Sequence, residues 1–384
     1  MSGYWQKIAN AVLFTALLVA IGYLIYAPSP LPLVTHGKFT STKAEVVEVD
    51  NSDLDLHGIF DYGTQHLKVK LPDGRVADAD NEMRAQLEYD KKFKVGDVAL
   101  VVLPDSINDD NSTLLARDHW RIGWMSVLFI AFASFLCVFG GWIGVRSLFT
   151  FFFSCLAIWK LLVPAVLSGG DPALITFSSV AFLTAVIVFL VAGISRKGVS
   201  AFCGSMLGVV ASLFLSKFFS SMMYVDGANM PAVQQLIYSM SVTLDLSSLF
   251  IGAVILSSSG AMMDLAMDIA AGIDEVVRHN PQLKFKQLFF SGCRIGRAVV
   301  GTMITTLLLA YSGGYITLLM VFAAEGTDPI DFINTTLVGS EIVKTLVGSF
   351  GLVLVAPFTA LSTAIIYGLN FNALKKSDAF KINR

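Results

Sequence analysis

Charged residues are scarce in this chain. Lysine, arginine, aspartate and glutamate make up 15% of its 384 residues, against about 25% in a typical soluble domain. Hydrophobic residues make up 55% of the chain, and its mean hydropathy is +0.68. This balance excludes an ordinary soluble protein and indicates a polytopic membrane protein. The net charge of −2 identifies no binding partner until it is divided by region.

Cysteine is also scarce, and none lies in the one long polar stretch, residues 27–120. The four cysteines lie in or beside apolar segments: Cys137, Cys155, Cys203 and Cys293. The polar stretch therefore has no disulfide to stabilise it and must form its own core. The sequence contains no Cys/His spacing typical of a metal site and no HExxH, GxSxG or P-loop motif. We therefore expect no enzyme activity, no metal and no cofactor.

Eight apolar runs are long enough to span a bilayer, which requires about 20 residues. The first, residues 8–26, is interpreted as a retained anchor, because it is long for a signal peptide and no small-x-small cleavage site precedes Ala27. The other seven lie at residues 122–141, 148–167, 173–192, 201–219, 246–263, 299–321 and 345–367. The predicted domains are an anchor at 1–26, a polar domain at 27–120, a seven-helix membrane domain at 121–371 and a basic tail at 372–384.

The distribution of lysine and arginine predicts that both termini lie in the cytoplasm, since cytoplasmic loops of membrane proteins are enriched in positive charge. With this orientation Lys7, Arg146, Arg196, Arg278 and the basic tail are inside. The short outer loops carry acidic residues instead, and Lys217 and Lys344 lie near span ends. The polar domain is then extracytoplasmic.

The polar domain has the pattern of short β-strands. Strands are predicted at 44–49, 66–71 and 99–103, with turns at 72–74 and 95–97 and a short helix at 81–89. Such a set suits a small OB-like or SH3-like barrel. Residues 27–120 contain ten Lys/Arg and seventeen Asp/Glu, and this acidic balance argues against nucleic acid as a partner.

An acidic stripe lies where the sixth span leaves the membrane. At 100° per residue, Asp264 and Asp268 lie about 40° apart on a helix, and Glu275 lies about 20° from Asp264. Two interpretations remain open. The stripe is a solvated face whose charges pair with Arg294 and Arg297, or it lines a protein cavity that holds a cation or proton. In the second case Thr302 and Thr305, at similar depth on the next span, would add oxygen ligands.

Three helix breaks and one charge pair add to this pattern. Breaks are predicted at Ser259 and Gly260, at Gly313 and Gly314, and at Pro357. Interrupted spans mark binding sites in transporters, although Gly, Ser and Pro are also common in ordinary membrane helices. Glu341 and Lys344, three residues apart, form a further candidate charge pair.

Three stretches resemble the YibE/F-like family of bacterial multi-pass membrane proteins. They are the segment from Gly260 to Ile269, the Ser291–Tyr311 segment with Ile295-Gly-Arg297 and Gly301-Thr-Met303, and Glu341 to Gly351 with Pro357. The sequence departs from the family pattern at Ala298, where an aspartate is expected, and at Ile304-Thr305-Thr306. The resemblance implies a bacterial cell-membrane location and a shorter homologous membrane partner, and it names no substrate.

Two functions are therefore compatible with the sequence. The first is a transporter or permease component with a cation or proton site on the sixth span. The second is a non-transporting assembly or sensing protein whose outer domain binds a protein or a cell-wall ligand. The burial of Asp264 distinguishes the two, because an intramembrane carboxylate is functional by default only where it is enclosed.

Overall fold

A computed structural model describes residues 2–26, 40–57, 60–103, 113–239 and 244–382. They form two structural units, one of Met1–Leu31 with Gly140–Arg384 and one of Pro32–Phe139. The first unit is helical, and the second contains a small β-barrel. The mainly helical fold with an N-terminal barrel is therefore as predicted.

The barrel contains five strands in a closed ring, extended by a sixth. The strands are β1 Thr40–Asp50, β2 Leu54–His57, β3 Phe60–Lys70, β4 Val76–Arg84, β5 Val98–Leu103 and β6 Leu114–His119. The order β1-β5-β6-β4-β3 is closed by pairing between β1 and β3, and β2 extends β3. The pair β4–β6 is parallel and the other pairs are antiparallel. A parallel pair within a five-strand ring favours the OB-like of the two predicted barrels.

Period-two alternation explains why the predicted strands are confirmed. Val46, Val69 and Val101 are at most 1% exposed. The residues directly before and after each of them on its strand point outward, as strand geometry requires. The predicted turns also form, and Gly74 and Gly96 adopt φ of 88° and 92°, a region that glycine enters at no steric cost.

The helix predicted at 81–89 is wrong. Strand β4 continues to Arg84 and a turn follows at 87–89. Asn81 is 4% exposed, and its amide donates hydrogen bonds to Gln65 Oε1 (3.1 Å) and to the Lys91 carbonyl (2.7 Å). Because these bonds satisfy a polar side chain inside the barrel, tertiary pairing prevails over the local helical pattern.

Six helices in the described part of the chain are long and apolar enough to cross a membrane. They are Ile122–Leu167, Pro172–Ala192, Arg196–Met222, Leu246–His279, Phe285–Gly314 and Thr336–Gly368. The full helix bounds are α1 Ser2–Tyr26, α2 Ile122–Ala157, a π-helical turn Ile158–Leu162, α3 Val163–Leu167, α4 Pro172–Ala192, α5 Arg196–Met222, α6 Val233–Ser239, α7 Leu246–His279, α8 Phe285–Gly314, α9 Ile316–Glu325, α10 Pro329–Asn334 and α11 Thr336–Ile382.

The first two of the seven predicted membrane-domain spans, 122–141 and 148–167, are two helices that meet at a kink within α2. The kink is at Gly141, whose backbone is non-helical, with φ 53° and ψ −134°. This positive φ is available to glycine at little cost, so helical geometry resumes directly after it.

Helix α7 lies at the centre of the helical unit and contacts α4, α5, α8 and α11. Asp245 caps it by accepting hydrogen bonds from the backbone N–H groups of Ser247 (3.0 Å) and Ser248 (3.2 Å). One face is completely buried; it includes Met262, Leu265, Ala266, Ile269, Ala270 and Ile273, all 0% exposed. The position of α7 fixes which of its polar groups remain accessible.

Candidate functional site

The acidic stripe lies on the face of α7 that no other described helix covers. Asp264 and Asp268 are exposed, on the side of the helix opposite the buried face. The 3.6-residue period therefore predicted the orientation of the stripe. The enclosure of Asp264 by a protein cavity, on which the two functional hypotheses differ, is not provided by the described residues of this chain.

No hydrogen bond or ion pair within the described residues joins the stripe to the threonines of α8. The hydroxyl of Thr302 donates to the Val299 carbonyl (2.9 Å), and that of Thr305 donates to the Gly301 carbonyl (3.1 Å). Such bonds to the preceding helical turn satisfy a hydroxyl within its own helix. Thr302 and Thr305 are thus exposed on the helix next to α7, with their hydroxyls engaged locally.

The helix break predicted at Ser259 and Gly260 is absent, because α7 runs without interruption from Leu246 to His279. The hydroxyls of Ser257, Ser258 and Ser259 donate to carbonyls three or four residues earlier, at 2.8–3.1 Å. The serines are therefore satisfied inside a regular helix. Helix α11 likewise continues through Pro357, as membrane helices can where other groups satisfy the carbonyl that proline leaves without a partner.

The break at Gly313 and Gly314 does coincide with the end of a helix. Helix α8 ends at Gly314, Tyr315 adopts φ −117° and ψ 9°, and α9 begins at Ile316. This is the one predicted interruption at which the described chain changes from one helix to another.

At the C-terminal end of α7, the charge pairs differ from those predicted. Nδ1 of His279 lies 3.4 Å from Oε1 of Glu275. Arg294 and Arg297 are exposed and form no ion pair with a described residue. Glu275 therefore pairs with a residue of its own helix, not with Arg294 or Arg297 of α8.

Asp274, which the helical wheel places off the stripe, forms the closest contacts in this region. It accepts a 2.5 Å hydrogen bond from the Tyr367 hydroxyl of α11, and Nη2 of Arg278 lies 2.9 Å from its second oxygen. The guanidinium of Arg196 lies 5.9 Å from the centre of the Tyr367 ring. This inner cluster of Asp274, Arg278, Tyr367 and Arg196 joins α5, α7 and α11. Tyr367 is the last residue of the last predicted span, and no local pattern in the sequence paired it with Asp274.

The Glu341–Lys344 pair of α11 forms as its spacing predicted. Nζ of Lys344 lies 2.5 Å from Oε1 of Glu341, and the two side chains are 15% and 14% exposed. The ammonium also lies 5.6 Å from the centre of the Phe250 ring and 5.9 Å from that of Tyr315. The Tyr315 hydroxyl interacts with the Glu341 carboxylate. The charges are thus largely buried, paired and covered by two aromatic rings.

A cavity of about 300 Å³ adjoins this pair, between the end of α8, α9 and the first turns of α11. Its wall is mainly aliphatic, with Leu308, Leu318, Leu319, Val338, Ile342 and Leu346. Polar atoms come from Tyr311, Tyr315 and Glu341, and the Tyr311 hydroxyl donates a 2.9 Å hydrogen bond to Ser257 Oγ of α7. This cavity forms where three helices pack together, which no local pattern in the sequence predicts. The predicted break at Gly314 lies beside it.

Helices α5 and α11 pack closely along a seam of glycines. A Cβ added to Gly204 would lie 2.6 Å from Cα of Thr359, and one added to Gly208 or Gly351 would overlap Val355 or Ser212. Small residues at four-residue spacing allow membrane helices to approach in this way. This seam is a packing surface that holds α11 against α5.

The fold and the site define a polytopic helical membrane protein that carries a small β-barrel. The model of the YibE/F-like protein family matches residues 128–369, which is more than half of the chain. The chain belongs to this family. Neither the curated proteins nor the solved structures contain a match to it.

Proposed function

We propose that this chain is a component of a membrane transport system. The observation that supports the proposal best is the Glu341–Lys344 pair, which is largely buried beside the junction of α8 and α9. Moving a charged side chain from water into the interior of a protein costs several kcal/mol per ion. Ionisable residues inside membrane segments are rare and mark ion or substrate pathways, and helix ends inside a span mark transporter binding sites.

The proposed topology has eight spans with both termini in the cytoplasm and the barrel outside. The segment Ile122–Leu167 contains 46 residues, which corresponds to about 69 Å of helix. A bilayer core is about 30 Å thick, so this segment is long enough to cross twice with Gly141 near its turning point. Helix α1 and the five remaining long helices complete the eight.

The acidic stripe is proposed as a second part of the pathway, a site for a cation or proton at Asp264 and Asp268. Two carboxylates one turn apart repel each other and favour a shared cation. Because both are uncovered in this chain, the site requires a partner, and we propose the shorter YibE/F-like membrane protein. Gly260 and Gly301 support this, since a Cβ at either position would meet no atom within 4 Å, and exposed small residues favour helix docking in membranes.

The test compares metabolites and metals, without preselection, in cells with and without the gene. We expect at least one solute to differ and wild-type protein to restore it, whereas Glu341→Gln and Asp264→Asn do not at equal protein level. Glu275→Gln is the matched control, because its side chain is 61% exposed and its one ion pair among the described residues is with His279 on the same helix. Absence of any differing solute, or full restoration by Glu341→Gln, would contradict the proposal.

A second function, ligand binding by the outer barrel, has its own support. Phe60 and Tyr62 of β3 are 40% and 58% exposed beside the edge strand β2. Exposed aromatics next to a sheet edge suit an added strand or a cell-wall fragment. Binding of the full-length protein to isolated cell wall, weakened by Tyr62→Ala and unaffected by Leu87→Ala, would favour this function. Equal binding by both variants would argue against it.

A further inference from the structure

The cavity between α8, α9 and α11 has a neutral polar end and an aliphatic wall. The carboxylate of Glu341 is engaged by Lys344 Nζ at 2.5 Å and by the Tyr315 hydroxyl. Since the two opposite charges cancel within 2.5 Å, the cavity offers no net charge to an inorganic ion. The hydroxyl of Tyr311 is likewise engaged, as a donor to Ser257.

The mouth of the cavity is apolar as well. Leu319 and Leu346 belong to its wall and are 43% and 54% exposed, and Leu337 nearby is 39% exposed. Glu341 and Lys344 lie about 8 and 12 Å along α11 from its first residue, Thr336, at 1.5 Å per residue. The candidate span Thr336–Gly368 is about 50 Å long at this rise and a hydrocarbon core is about 30 Å thick, so the opening lies near the boundary between hydrocarbon and headgroups.

We propose that this cavity binds the hydrocarbon chain of an amphiphile, with its hydrogen-bonding head near Tyr315 and Glu341. A volume of about 300 Å³ is at the lower end of small-molecule sites, which are mainly apolar with a few placed polar groups. The inference deepens the proposed transport function by naming the substrate class of the same site. Binding is measured here without transport, so the two proposals fail separately.

The test uses photoaffinity labelling of the full-length protein in detergent micelles. The probes are a fatty acid that carries a diazirine on its chain and a phosphatidylcholine with the same chain. After irradiation and proteolysis, we expect adducts on the peptides of α9 and of the first turns of α11. Labelling by the fatty acid alone indicates a free amphiphile as ligand, and labelling by both probes indicates a lipid chain.

Ile342→Trp fills the cavity and should abolish these adducts. Leu309→Trp is the control, because Leu309 is 66% exposed on α8 and does not contribute to the cavity wall. Unlabelled palmitate should also suppress the adducts in the wild-type protein, a measurement that needs no variant to fold. Adducts spread evenly over the exposed apolar helices, or unaffected by both Ile342→Trp and palmitate, would overturn the proposal.

Discussion

The hydroxyl of Tyr367 on α11 donates a 2.5 Å hydrogen bond to Asp274 on α7. Asp274 is 20% exposed, and without the hydroxyl only Arg278 remains as its partner. We expect Tyr367→Phe to lower the free energy of unfolding by about 1.5–3 kcal/mol, the usual contribution of a hydrogen bond to a charged group. Reversible unfolding of the detergent-solubilised protein measures the change. Glu275→Gln should shift it by less than about 0.5 kcal/mol, and equal stability of the two variants would contradict the expectation.

Substitution by alanine should have opposite effects at Gly204, in the α5–α11 seam, and at Gly301, on the exposed side of α8. In Gly204→Ala the new methyl would lie 2.6 Å from Cα of Thr359, so the helices must separate at a cost of about 1–3 kcal/mol. In Gly301→Ala the methyl meets nothing within 4 Å, and alanine is favoured over glycine in a helix by about 1 kcal/mol. Thermal unfolding of both variants in one detergent tests this pair, and a stable Gly204→Ala protein would refute close packing.

Residues 35–118 should fold when they are expressed alone. The barrel has its own buried core, with Val69, Ala79, Ala99 and Val101 at 0% exposure, and it contains no cysteine. A domain of this size buries barely enough surface for independent stability, so we expect a cooperative transition of modest midpoint. Dispersed amide resonances in an NMR spectrum would support the expectation, and a random-coil spectrum would show that the barrel depends on the rest of the chain.

The barrel should lose stability as the pH rises through the pKa of His66. Hydrogen bonds to Asp53, which has the larger effect, and to Asp80 raise the pKa of His66 above its usual value near 6.5. Asp50 of β1 lies opposite His66 of β3 in the sheet. A raised folded-state pKa adds stability below the unfolded pKa and loses it above the folded one. Asp53→Asn should lower the His66 pKa measured by NMR, and Asp55→Asn should leave it unchanged. An identical His66 pKa in wild type and Asp53→Asn would contradict the assignment.

Single cysteines at chosen positions test the topology. In a protein whose four native cysteines are replaced, we expect cysteine at position 279 or 377 to react with an impermeant maleimide only after permeabilisation. Cysteine at position 226 should react in intact cells. His279 and Asp226 are exposed on the described chain, so access to the reagent is not limited by packing. Labelling of position 279 from outside would reverse the proposed orientation.

Periodicity predicted those features that depend on local repetition. The strands around Val46, Val69 and Val101 follow the period of two, and the buried face of α7 follows the period of 3.6. The Glu341–Lys344 pair follows from a spacing of three on a helix. Each of these features is set by neighbours within one or two turns of the same element.

Features set by distant contacts were not predictable in the same way. The helix expected at 81–89 gave way to a strand because Asn81 pairs with Gln65, sixteen residues away. Serines expected to break α7 instead bond to their own helix. The Tyr367–Asp274 bond spans 93 residues, and nothing in the local pattern of either residue identifies the other. The cavity at Glu341 likewise depends on three helices meeting.

The seam between α5 and α11 has a further property that follows from its four-residue spacing. Gly204 faces Thr359, Gly208 faces Val355 and Ser212 faces Gly351. A slide of one turn, about 5.4 Å, would set Gly204 against Thr363, Gly208 against Thr359, Ser212 against Val355 and Ser216 against Gly351, so that a small residue of α5 again faces each of these positions of α11. The seam therefore specifies how near the helices come but only weakly specifies their register. The Arg196 guanidinium lies over the Tyr367 ring in the same alignment of the two helices. This contact favours the observed register over the one shifted by a turn.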